Sequence, residues 1–344
     1  MKKWLGLAMA VVLALSMAGC SGTQNESSVA DAEEDKVQIG MSFDSFVIER
    51  WQRDRDVFVS VAKELGAEVS VQNANGDVDT QKEQIDYFIE KGVDVIVIIS
   101  IDGASLSDSV AKAKAAGIKV IAYDRIIDNS DVDLYISFDN EKVGELMADA
   151  LVDAGISGGK VLMLGGSPTD QNVTLVEKDF KQVMEDNNIT ILDSTHADGW
   201  KAELAADYVY ANTDVVKEAD AIMCGNDDLA TQVVRALSET RLAGNKMVVG
   251  QDADLAACQR IVEGTQLMTV YKPVEKLATR AAQEAAALAN GTSVTGDDVT
   301  YVENGDYTVP YIALEPIAVN KDNMDEVIIS SGFHLKEDVY LNVQ

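Results

Sequence analysis

Glu49 opens the run ERWQRDRD, which gathers Arg50, Arg53 and Arg55 around Trp51 in a 344-residue chain whose formal net charge is −30. Guanidinium groups present paired planar donors that match carboxylates or neighbouring hydroxyls, and an indole presents a flat apolar face. Elsewhere polar groups recur in short clusters: Asp44, Asn73 to Asn75, Ser100 to Asp102, Asp124-Arg125, Asp139-Asn140, Ser167 to Asp170, Asp198-Gly199-Trp200, Asn226-Asp227, Gln251-Asp252 and Lys272. Such a set suits a small neutral ligand rich in hydroxyls, each of which donates and accepts, with a C–H face laid on an aromatic ring. The surplus of 58 acidic over 28 basic residues argues against nucleic acid and anionic membrane surfaces as partners.

Catalytic and metal chemistry have little to work with. The chain holds two histidines, His196 and His334. Neither has a spacing that suggests a metal site or a nucleophile paired with a base, so no enzyme activity, metal or cofactor is expected. Cys224 and Cys258 make no disulfide framework and read as small buried hydrophobes. NANGDVDTQKEQ departs from a calcium loop because Gly76 is the fourth residue from Asn73, not the sixth. A strand, a turn and a helix capped by Asp79 or Thr80 explain it better. GGSPTD lacks both GxGxxG and Walker spacing, so Ser167 is expected as N-cap with Pro168 at the first helical position.

The elements that must position these groups alternate along the chain. VQIGMSF, AEVSVQ, VDVIVIIS, IKVIAYD, DLYISF, KVLMLGG, ITILDS, AIMCGND, KMVVGQD and QLMTVYK read as strands. Helical periodicity fills the intervals at 51–65, 81–91, 105–116, 141–154, 170–186, 201–210, up to 237, 255–262 and 274–290. The fold class expected is α/β, with two similar doubly wound parallel-sheet domains whose ligand sits beyond the carboxyl ends of the strands. The polar clusters fall at those ends. In the first helix the apolar stripe of Val57, Phe58, Val61 and Leu65 steps back to Arg50 and Trp51, which extend it past the sheet edge, while Arg53 and Arg55 fall on a solvated face.

Lys2 and Lys3, an apolar run over 4–17 and Ala18-Gly19-Cys20 read as a signal peptide over 1–19 with Cys20 as a lipidated N-terminus. Residues 20–36 are polar and acidic and read as a disordered tether.

IERWQRDRD, NANG, GVDVIVII, GIKVIAYDR, YISFDNEKVGEL, GGSPTD, DGW, GQDADLA, GTQLMTVYKP and GFH together resemble the D-xylose-binding proteins of ABC importers, within the ribose/galactose-type substrate-binding family. The resemblance runs over the whole chain after the tether. It implies two domains joined by a three-segment hinge that close on a sugar, with residues 37–140 and 274–306 in one and 141–273 and 307–344 in the other. Carried over by motif, it implies Arg50, Trp51, Asp124, Arg125, Asp170, Asn172, Trp200, Asn226, Asp252 and Lys272 as ligand-binding residues. The implied partners are a monosaccharide, in the first place the pentose D-xylose, and a membrane permease, with the protein a monomer held to the membrane by its lipid. SFDSFV before the first motif and CGNDDLAT around Asn226 depart from the family pattern at the rim of the pocket. The alternative is a sensor of the same fold that shows its liganded form to a membrane receptor or histidine kinase. A sugar-responsive transcription regulator would need a helix-turn-helix segment before Val37, and none is present.

Overall fold

A computed structural model describes residues 36–156 and 158–343; the expected signal peptide, Cys20 and the tether up to residue 35 lie outside them. The first series of the alternation becomes β1 (Gln38–Phe43), α1 (Arg50–Glu64), β2 (Glu68–Asn73), α2 (Val78–Lys91), β3 (Val95–Ile98), α3 (Ser107–Ala115), β4 (Lys119–Tyr123) and β5 (Leu134–Phe138). The second opens with α4 (Asn140–Asp153), β6 (Lys160–Gly165), α5 (Gln171–Asp186), β7 (Thr190–His196), α6 (Glu203–Ala211) and α7 (Thr213–Glu218). It continues with β8 (Ala221–Cys224), α8 (Asp227–Glu239), β9 (Met247–Gln251), α9 (Leu255–Glu263) and β10 (Met268–Tyr271). The chain then runs through α10 (Val274–Ala289), β11 (Val299–Asn304), β12 (Tyr307–Leu314), β13 (Ile317–Val319) and α11 (Lys336–Val339).

These strands form a seven-stranded sheet in the order β11-β12-β5-β4-β3-β1-β2 and a six-stranded one in the order β13-β10-β9-β8-β6-β7. Pairing is parallel except for β11 on β12 and β13 on β10. The all-apolar β3 shows why: Val95, Val97 and Ile99 join a cluster with Phe58, Leu277 and Ala281 from α1 and α10, while Ile96 and Ile98 face Ile85, Phe88 and Val110 from α2 and α3. Helices cover both faces, so every position must be apolar. In the second sheet α4 crosses α5 closely at Gly144, where a Cβ would come within 2.0 Å of the Val176 carbonyl oxygen.

The strand order reverses at β1, between β2 and β3, and at β6, between β7 and β8. Crevices open at the carboxyl ends of strands where the order reverses, so the segments after β1, β3, β6 and β8 are where each half can take a ligand.

Several expectations are corrected. A division at 306/307 cuts a hairpin at its turn, because β12 pairs with β11 antiparallel and with β5 parallel. The chain therefore leaves the seven-stranded sheet after Leu314 and enters the other at Ile317. Asp77, not Asp79 or Thr80, caps α2, its carboxylate accepting from the Thr80 N–H at 2.6 Å. Asp170, not Ser167, caps α5, accepting from the Asn172 N–H at 3.0 Å. Its extended backbone suits an N-cap, and Pro168 lies before the helix instead of inside it. Arg53 is not on a solvated face: it bonds the Phe333 carbonyl oxygen at 2.7 Å and pairs with Glu275 at 2.7 Å.

Candidate functional site

Two strand ends carry the same local device. After β4 the backbone turns left-handed at Asp124, with φ +65°, and its N–H donates to Ile136 O at 2.7 Å. After β9 it does so at Asp252, with φ +97°, and the N–H donates to Val270 O at 2.8 Å. An L-residue held in this region is locally strained, and the turn aims its carboxylate beyond the sheet.

The aromatic walls are also held. Trp51 is buried at the start of α1, with its Nε1 left without a partner. Trp200 follows Gly199 in a turn where both are left-handed, and its Nε1 donates to Asp170 Oδ2 at 3.2 Å. The indole lies directly on Gly166, where a Cβ would come within 2.1 Å of the ring. Any side chain at 166 would therefore push the ring away.

Apart from Asn226, every residue expected at the site lines one cavity of about 440 Å³ counted out to its mouth. Gly165, Gly166, Glu177 and Gln251 line it with them. Asn226 stands at its edge: its Oδ1 accepts from the Leu229 N–H at 3.0 Å and caps α8, and it is Gly225 that reaches the cavity.

Charge is arranged in pairs. Arg50 meets Asp124 at 2.7 Å, Asp54 at 3.3 Å and Asp252 at 3.9 Å. Arg125 meets Asp44 at 2.7 Å and Asp170 at 2.7 Å, and donates to Ser100 O at 3.0 Å. Several links run from one half to the other: Arg125 to Asp170, Arg50 to Asp252, and Asn172 Nδ2 to Asp124 Oδ1 at 3.1 Å. Burial disfavours the charge of Asp124, yet Arg50, then Lys272 and Arg125, overcome it and hold the carboxyl below its usual range. Burial likewise opposes the charge of Arg125, and Asp170, Asp44 and Asp124 outweigh it to keep the guanidinium ionised. Lys272 is pushed down by burial, with Asp252 and Asp124 pulling the other way; its ammonium bonds Asn140 Oδ1 at 3.3 Å.

Some polar atoms here are buried without a hydrogen bond: Trp51 Nε1, Gln251 Oε1 and Asp252 Oδ1. Buried polar groups are nearly always paired. Donors and acceptors left open in one cavity are what a ligand that both accepts and donates would satisfy.

Sequence reasoning missed residues that the site uses. Asn140 bridges Asn172 at 3.0 Å and Lys272. It directly follows Asp139 at the end of β5, so the strand-end rule reached it without marking it. Gln251, the last residue of β9, stands beside Asp252 in the strand-end clusters, but the family motif carries over only Asp252. Glu177 lies two turns into α5, with His196 at 2.9 Å and Lys181 at 2.8 Å; no strand-end rule finds a residue there. His196 thus faces a carboxylate, and Cys224 and Cys258 are both buried free thiols. Burial pushes the Cys224 thiol well up, which removes it as a nucleophile. Among the described residues no cluster of His, Cys, Asp and Glu could hold a metal ion.

Two doubly wound halves with a buried, charge-paired cavity at their facing strand ends make this a type I periplasmic binding protein fold. Residues 39–293 match the model of the periplasmic binding protein domain, and the chain belongs to that family. It is 44% identical over 316 residues to the D-xylose-binding periplasmic protein of Haemophilus influenzae, covering 90% of this chain and 94% of that one. It is 45% identical over 325 residues to the D-xylose-binding periplasmic protein of Escherichia coli, covering 93% and 97%. Among solved structures, an ABC transporter solute binding protein from Clostridium phytofermentans with bound β-D-glucose superposes with a TM-score of 0.79 at 28% identity, covering 88% of this chain and 99% of that one.

Proposed function

We propose that this protein is an extracytoplasmic receptor that binds a monosaccharide, D-xylose first, between its two halves and delivers it to the membrane permease of an ABC transporter. One observation carries the reading: two indoles, two guanidiniums, an ammonium and several carboxylates line a single cavity, and some of their donors and acceptors are open. Arg50 and Arg125 supply paired donors, Asp124, Asp170 and Asp252 accept hydroxyl protons, and Asn172 and Lys272 complete the ring of polar contacts. Trp51 and Trp200 supply the apolar walls. Asn226 acts from the edge by fixing Gly225 and the start of α8. Identity of 44% and 45% to two D-xylose-binding proteins supports the choice of sugar.

Residues 37–140 with 274–314 form one closing half and residues 141–273 with 315–344 the other. Closing removes the sugar from water and completes the polar contacts from both sides. Cys20 carries the lipid that holds the monomer at the membrane, and Cys20→Ala is expected to abolish lipid labelling.

The test of the binding reading is a thermal shift across D-xylose, D-ribose, L-arabinose and D-glucose, followed by calorimetric titration. A ligand that binds only the native state raises its melting temperature by mass action. Xylose is expected to give the largest shift, unchanged by a chelator. No shift with any monosaccharide, from protein whose circular dichroism shows it folded, would defeat the proposal.

A further inference from the structure

The stretch Gly332-Phe333-His334 lies far from the cavity in sequence and contributes nothing to its lining. It nevertheless touches the supports of two site residues. Arg53, about one helical turn from Arg50 on α1, donates to the Phe333 carbonyl oxygen at 2.7 Å and lies over the Phe333 ring at 4.4 Å. On the other side, His334 Nε2 is 2.8 Å from the carbonyl oxygen of Ala253, the residue after Asp252.

That carbonyl belongs to an unusual piece of backbone. Asp252 and Ala253 are successive non-glycine residues with φ +97° and +57°. Two left-handed residues in a row persist only where the surroundings hold them. The Ala253 N–H is held by Thr269 Oγ1 at 3.1 Å, and its carbonyl by His334. The carbonyl can only accept, so the ring carries a proton on Nε2. What this turn aims is the carboxylate of Asp252, whose Oδ1 is buried without a hydrogen bond, 3.9 Å from Arg50.

We infer that His334 is a positioning residue for Asp252: by donating to the Ala253 carbonyl it fixes the left-handed turn that points the Asp252 carboxylate at a sugar hydroxyl. Phe333, held by Arg53 on α1 and packed on Tyr271 at 4.8 Å, keeps the histidine in place. The inference rests on the reading of Asp252 as a sugar ligand.

A double-mutant cycle tests it, with D-xylose affinity read by calorimetry on wild type, His334→Ala, Asp252→Ala and the double variant. His334→Ala is expected to weaken binding by about fivefold to tenfold, the size of one neutral hydrogen bond. In the Asp252→Ala background the same change is expected to cost less than about twofold, because the carboxylate it serves is gone. His334→Gln, which keeps a donor, is expected to recover most of the loss. Should His334→Ala not fold, His334→Phe carries the cycle, since it keeps the ring and removes the donor. An equal loss in both backgrounds, or no loss in either, overturns the inference. A wild type that binds no monosaccharide defeats the proposed function instead, so the two failures are told apart.

Discussion

Asp124 and Asp252 end equivalent strands in the two halves, in the same left-handed turn, each tied by its N–H to the neighbouring strand. Their surroundings differ. Asp124 receives Arg50 at 2.7 Å and Asn172 at 3.1 Å, and the cations around it hold it ionised. Asp252 has an oxygen with no hydrogen bond, with Arg50 3.9 Å away and the Lys272 ammonium acting on it from the same cavity. The same backbone device therefore serves two purposes. Asp124 spends much of its accepting capacity on Arg50 and Asn172, whereas Asp252, on the proposed reading, keeps an oxygen open for a sugar hydroxyl.

The largest effect should come from breaking the committed carboxylate. Asp124→Ala takes from buried Arg50 its nearest carboxylate, at 2.7 Å, and from Asn172 an acceptor, and breaking a buried pair from one side costs about 3–5 kcal/mol of stability. Asp252→Ala should stay within about 1 kcal/mol, since no hydrogen bond to the free oxygen is lost. Urea denaturation of both variants without sugar checks the contrast, and equal losses would erase it.

Next is Arg125→Ala, expected to cost about 2–5 kcal/mol of xylose affinity and to blur the ranking of sugars, because it leaves Asp44 and Asp170 buried without their cation. Calorimetry against xylose, ribose and glucose reads both. Near wild-type affinity in the folded variant would remove Arg125 from the site.

Buried acids in both halves also give a pH signature. Near Asp252 burial pushes Asp227 up to about 7 against the Thr269 hydrogen bond, the Arg260 guanidinium and the Gln266 hydrogen bond, and pushes Asp228 up to about 6 against Arg260. In the first half burial does the same to Asp54, raising it to about 6. These folded-state values lie above the usual 3.8, so the native state binds more protons than the unfolded chain between about pH 4 and pH 7. Their contribution to stability is present below that window and lost as pH rises through it. The melting temperature should be higher at about pH 5 than at about pH 8, with a smaller difference in Asp227→Asn. A melting temperature that climbs toward alkaline pH would contradict the assignment.

The smallest effects concern the indole walls. Trp200→Ala should cost about 0.5–1.5 kcal/mol of affinity beyond the lost buried area, without reordering the sugars. Gly166→Ala should resemble it in binding while leaving the tryptophan present, because the new methyl displaces the ring. A Gly166→Ala protein with wild-type affinity would show that the position of the indole does not matter.

Much of this was legible in the sequence. The alternation of elements and the strand-end rule pointed to the region, and the family resemblance singled out Arg50, Trp51, Asp124, Arg125, Asp170, Asn172, Trp200, Asp252 and Lys272, which line one cavity. What escaped had physical reasons. The β11–β12 hairpin carries an Asn304-Gly305 turn signal, and Gly305 has φ +65°, but exposed alternating strands announce themselves more weakly than buried apolar ones. Caps were misplaced by two or three residues because Asp77, Asp79 and Thr80 are all good caps, and only backbone geometry chooses among them. Arg53 read as a surface charge because its partner, Phe333, lies 280 positions away. Its role depends on tertiary contact, which periodicity does not report.

The most direct test of the account is a calorimetric titration of D-xylose into wild type and Asp252→Ala, with both melting temperatures measured without sugar. The account predicts saturable xylose binding by wild type. It predicts a loss of about 30-fold or more in Asp252→Ala, the scale of about 2 kcal/mol or more for removing a buried charged partner, at a nearly unchanged melting temperature. Xylose affinity in Asp252→Ala equal to wild type, or a collapse in its melting temperature, would contradict the claim that this carboxylate is held open for the sugar.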